Sequence, residues 1–84
     1  MRVIIRFSID GEQDGALRNH LADILTGAGF ALNPHVTATW EAAGITALDL
    51  SRTMRAFWHT AETHQGPGHI DHVWTYCDNP PDFQ

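Results

Sequence analysis

Apolar and polar residues alternate from Arg2 to Ile9, with Val3, Ile5, Phe7 and Ile9 on one side and Ile4, Arg6 and Ser8 on the other. A period of two in β-branched residues predicts a strand. Asp10-Gly11 breaks it, and from about Asp14 to Thr26 the period changes. Leu17, Leu21, Ile24, Leu25 and Ala28 fall on one helical stripe, while Arg18, Asn19 and Asp23 point away from it. Gly27 and Gly29 supply the stop. Phe30 to Glu41 reads as extended chain in which Val36, Ala38 and Trp40 alternate with His35, Thr37, Thr39 and Glu41. Asn33-Pro34 is a turn signal inside it, so the segment is expected to be a hairpin with a short first arm.

Gly44 ends that region, and Thr46-Ala47-Leu48-Asp49 then has the form of a capping box. The Thr46 hydroxyl is placed to accept a backbone N–H, and the Asp49 carboxylate to reach back to the Thr46 N–H. The helix this opens is expected to run to about Thr63, with Leu50, Met54, Phe57, Trp58 and Ala61 on its apolar face. After a Gln65–Gly68 loop, His69 to Cys77 predicts the last strand. Strict alternation puts Ile70, His72, Trp74 and Tyr76 on one face and Asp71, Val73, Thr75 and Cys77 on the other. Asp78-Asn79-Pro80-Pro81 closes the pattern, since proline cannot donate to a ladder; residues 78–84 read as a tail in which Phe83 either docks or frays.

Strand, helix, hairpin, helix, strand is the order of an α+β protein. The expected fold class is a ferredoxin-like two-layer sandwich, an antiparallel sheet of three to four strands with two helices on one face. Its other face would be left open, carrying Ile4, Arg6, Ser8, Thr37, Thr39, Trp74 and Tyr76. An open face with aromatics invites a partner, and a second copy is the simplest one. Ile4, Arg6, Trp74 and Tyr76 are therefore the expected interface of a homodimer.

Composition narrows this picture. With 84 residues the chain reads as a single domain, 1–84, marginal alone and helped by dimerisation. Its one cysteine, Cys77, permits no intramolecular disulfide and no cysteine-based zinc site. Arg6 interrupts the only apolar run near the start, and no stretch approaches the roughly 18 residues of a membrane span. A cytoplasmic location with no membrane partner is expected. All five basic residues are arginine, and the formal net charge is −5. The arginine-only bias suggests a GC-rich bacterial or phage genome. The negative charge argues against tight nucleic-acid binding, which needs basic residues to displace counterions.

Candidate chemistry is sparse. Asp10, Glu12 and Asp14 imitate the opening of a calcium loop, but the twelfth position is Leu21 where a bidentate glutamate is required. Carboxylates ahead of a helix otherwise serve as its cap. On the second helix His59 and His64 diverge, and strict alternation places His69 and His72 on opposite strand faces, so no zinc cluster is expected. Cys77 reads as a packed thiol. Arg52 and Arg55 read as a solvated helix face.

Phe7-Ser8-Ile9, Arg18, Gly29-Phe30 and Thr39-Trp40-Glu41 follow one another in an order that resembles two related families. These are the ferredoxin-fold small subunit of CRISPR spacer acquisition and the VapD ribonuclease toxins. The resemblance implies a compact homodimer and, at the end of the first strand, a metal-associated catalytic Asp. Ser8 stands in that slot, and a hydroxyl binds a divalent cation far more weakly than a carboxylate. Asp10, two residues on, is the substitute acid. Under this reading the chain would be a metal-dependent endoribonuclease with Asp10 holding Mg²⁺ or Mn²⁺ and Ser8 and Arg18 assisting. The leading expectation is a non-catalytic homodimeric interaction protein without a cofactor.

Overall fold

The computed structural model describes residues 1–36 and 38–78. Six elements follow in order: β1 (Arg2–Asp10), α1 (Ala16–Gly27), β2 (Ala31–Leu32), β3 (Thr39–Ala42), α2 (Ala47–Thr63) and β4 (His69–Asp78). They build one four-stranded sheet in the order β2-β3-β1-β4, with β1 antiparallel to both β3 and β4 and β3 antiparallel to β2. This is the strand order of the ferredoxin-like α+β sandwich. The predicted hairpin with a short first arm is β2 and β3. Its connection is organised by Asn33, whose side-chain oxygen accepts from the N–H groups of His35 and Val36 at 2.7 and 3.1 Å. That is the mechanism by which Asn initiates a turn.

The alternating pattern of β1 puts Val3, Ile5 and Phe7 into the core, and the stripe of α1 meets them with Leu17, Leu21 and Leu25. Phe30, Ala42, Ile45 and Phe57 complete it. Full burial of such side chains contributes about 1.5–3 kcal/mol each, before the entropy of ordering them is subtracted. α1 begins two residues later than its predicted Asp14 start, because Gly15 takes a left-handed conformation (φ 76°) ahead of Ala16. It ends as its glycines predict. Gly29 sits at φ 93°, the Phe30 N–H reaches the Leu25 carbonyl and the Gly29 N–H that of Thr26. This is a Schellman stop, and both Leu25 and Phe30 belong to the core.

α2 opens on the predicted capping box, with the Asp49 N–H 3.0 Å from the Thr46 hydroxyl and the Thr46 N–H 3.4 Å from the Asp49 carboxylate. Its apolar stripe differs from the expected one at two positions, Thr53 and Trp58. Thr53 and Phe57 are the buried residues, while Trp58 is 42% exposed. Thr53 tolerates burial because its hydroxyl donates to the Asp49 carbonyl at 2.8 Å.

β4 also departs from its pattern. It is an outer strand that pairs with β1 alone, and its register shifts between Ser8 and Ile9. Ser8 faces His72 but Ile9 faces Ile70, so Asp71 is an extra residue, a β-bulge. A bulge reverses the faces of all residues beyond it. Ile70, expected beside His72, Trp74 and Tyr76, instead packs against the core with Val73 and Cys77. His69, opposite Asp10, returns to the face that holds His72.

Candidate functional site

With both helices on one side, no helix among the described residues covers the other side of the sheet. Register sets out its residues. Ile4 lies between Glu41 and Tyr76, Arg6 between Thr39 and Trp74, and Ser8 beside His72. Thr39, expected on this face, is there but only 4% exposed. Thr37 lies outside the described residues, as do residues 79–84 of the expected tail, Phe83 included; Asp78 is the last residue of β4.

Three features mark this face. At its centre Trp74 and Tyr76 project from one side of β4, stacked with ring centroids 6.1 Å apart and planes 11° from parallel. They are 53% and 45% exposed. Large aromatics with about half of their surface in water are not core residues. At one end Arg2 pairs with Glu41 at 2.9 Å and Asp78 at 3.9 Å, a solvated network of one cation and two carboxylates. At the other end the bulge presents Asp71. Its Oδ2 accepts from the Ser8 hydroxyl at 3.3 Å and lies 2.6 Å from His72 Nδ1. Between Trp74 and this cluster runs a shallow groove of about 390 Å³, lined by Arg6, Phe7, Ser8, Ala38, His72 and Trp74.

Asp71 is the residue that sequence reasoning missed. Strict alternation sends it to the helix side with Val73, Thr75 and Cys77. The inserted residue brings it to Ser8 instead, and an unbroken alternation of side chains contains no sign of an insertion. The Ser8–Asp71–His72 arrangement is not that of a nucleophile with its base, since the hydroxyl donates to the carboxylate and not to the imidazole.

The residues nominated for metal-dependent chemistry go to different partners. Asp10 faces His69, with Oδ2 3.8 Å from Nε2, and both side chains are more than two-thirds exposed. Ser8 is held by Asp71. Arg18 is held by Glu12, at 3.2 Å from Oε1, and lines a second hollow with Asn19, Ala22, Leu32 and Trp40, which shares Phe7 and Ala38 with the groove. The acidic segment ahead of α1 acts as a cap. Asp14 accepts the Ala16 N–H at 3.0 Å and Glu12 the Arg18 N–H at 2.9 Å, two of the donors that a helix start leaves unpaired. Among the described residues no group of three or more His, Cys, Asp or Glu is arranged to hold a metal ion. His20 and His64 meet edge to face with ring centroids 6.0 Å apart, a contact that the sequence spacing does not reveal.

Among the described residues no helix is long and apolar enough to cross a membrane. Comparison of the chain with protein-family models, with curated proteins and with solved structures returns no match.

Proposed function

We propose that this chain is a homodimeric interaction protein without catalytic activity, joined through the open face of its sheet. The observation that carries the reading is the stacked Trp74–Tyr76 pair, exposed beside Ile4 and Arg6 on the side opposite both helices. A small domain gains most from covering such a surface, because its own core is limited by its size. Arg and aromatic residues are also the side chains that concentrate binding energy at interfaces. The separation of Asp10, Ser8 and Arg18 among Glu12, His69 and Asp71 supports the non-catalytic half of the reading.

Sedimentation velocity at micromolar concentration is the test. The expected species is a dimer, and Trp74→Ala with Tyr76→Ala is expected to weaken it at least about tenfold, as removal of interface anchors does. A strictly monomeric wild type sinks the proposal. A parallel RNA-cleavage assay in Mg²⁺ or Mn²⁺ compares wild type with Asp10→Ala. Cleavage that depends on Asp10 would replace the non-catalytic reading with a ribonuclease.

A further inference from the structure

The open face carries an arginine and a carboxylate that answer one another. Arg6 stands at its centre, exposed, and has no ion-pair or hydrogen-bond partner among the described residues. Arg2 and Arg18 both have carboxylate partners. Glu41 and Asp78 are already engaged by Arg2. Asp71 is engaged by Ser8 and His72, but both contacts fall on Oδ2, and Oδ1 carries none among the described residues. Besides Asp10, which lies at the end of β1 and meets only the exposed His69 at 3.8 Å, the face therefore displays one unengaged cation, Arg6, and one half-engaged anion, Asp71.

Their spacing suits a two-fold contact. Arg6 faces Trp74 and Ser8 faces His72, next to Asp71. Asp71 thus lies about one strand across and two residues along from Arg6, roughly 5 Å by 7 Å. The midpoint of that diagonal falls on the groove lined by Ser8, His72 and Trp74. In an isologous contact, if one residue meets a second, the second meets the first. A two-fold axis lying in the plane between two facing sheets, and crossing that diagonal at its midpoint and at right angles, lays Arg6 of each copy over Asp71 of the other. Sheets packed face to face sit about 10 Å apart, a gap that an extended arginine and an aspartate reaching from opposite sides can bridge.

We infer that the dimer is set in register by two symmetric ion pairs, Arg6 of each copy with the partner's Asp71, flanking a centre in which the two Trp74 side chains meet. The bulge then has a purpose. Without the extra residue, no carboxylate would stand at that point of β4. The inference rests on the open-face dimer proposed above and specifies its orientation. Electrostatic pairing of this kind fixes register and rejects wrong partners more than it adds affinity.

The experiment is a charge swap on the full chain, read by sedimentation. Arg6→Glu and Asp71→Arg are each expected to weaken self-association about tenfold or more, because each homodimer then faces like charges twice. Mixing the two variants is expected to restore dimer to within about threefold of wild type. In the mixed species each substituted position faces the opposite charge. A role within one chain, or a loss of folding, would give no recovery on mixing. Far-UV circular dichroism of each variant, with Arg6→Gln and Asp71→Asn as milder substitutions, separates misfolding from dissociation. Dimers that withstand both reversals, or singly weakened variants that stay apart on mixing, overturn the pairing and leave the aromatic interface standing. A monomeric wild type overturns both.

Discussion

Phe57 and Trp58 are neighbours on α2 with opposite fates. Phe57 is fully buried and meets Phe7 edge to face at 5.3 Å, whereas Trp58 is 42% exposed. Helical spacing alone admits either one to the apolar stripe, since adjacent residues lie only about 100° apart on a helix. Packing settles the choice. Phe57→Ala is expected to cost about 3–5 kcal/mol in urea denaturation, the range for a large aromatic removed from a core. Trp58→Ala is expected to cost well under half of that, since part of its surface is in water already. Equal losses would mean that the two share the core. Thr53 makes a related point. A threonine on the buried stripe reads as an interruption until its hydroxyl is seen to bond within its own helix.

At the scale of elements, much was legible because each strand or helix advertises its own period and its own ends. The capping box at Thr46, the glycine stop after α1 and the turn at Asn33 are all local chemistry, and each appears where its residues stand. The bulge is not local chemistry. Its cause is the pairing of β4 with β1, and the pattern of β4 alone looks like an uninterrupted strand. That is why the faces of Ile70, Asp71 and His69 were misread and why the Ser8–Asp71–His72 cluster went unseen. A test follows from the register. Deleting Asp71 removes the extra residue and restores a regular ladder that keeps Ile70 inward and His72 outward. The deletion is expected to cost less than about 1 kcal/mol of stability. Deleting Thr75, in the regular run, shifts residues 72–74 by one position and turns Val73 out and His72 and Trp74 in, while the bulge takes up the lost residue and Ile70 stays opposite Ile9. It is expected to cost more than about 3 kcal/mol by urea titration. Similar costs for the two deletions would contradict the bulge.

At the scale of the molecule, the order of elements reveals the class of fold, because two helices and a few antiparallel strands have few ways to share one core. It also reveals that one sheet face has no helix over it among the described residues. Which charges meet across that face is set by register and by the bulge, so it becomes readable only in three dimensions. Charge bears on partners as well. The chain has five arginines and a net charge of −5. Arg2 and Arg18 are already matched by carboxylates. Arg6, Arg52 and Arg55 remain, few for the counterion-releasing phosphate contacts on which nucleic-acid affinity depends.

β4 is an outer strand, and the shift at Asp71 divides it unequally. Beyond the bulge, residues 72–78 form a straight run of about 23 Å at the usual rise per residue. That run is rich in β-formers and contains no lysine and no proline until position 80. No described strand pairs with its outer backbone groups, and the run is long enough for the six or seven residues that seed cross-β stacking. The dimer proposed above shields one face of this strand but leaves its edge untouched. Acidic net charge is then the defence against fibril growth. Lowering the pH toward the sequence pI of about 5.5 is expected to bring on thioflavin-positive aggregation, and Thr75→Lys, placed in the middle of that run, to delay it.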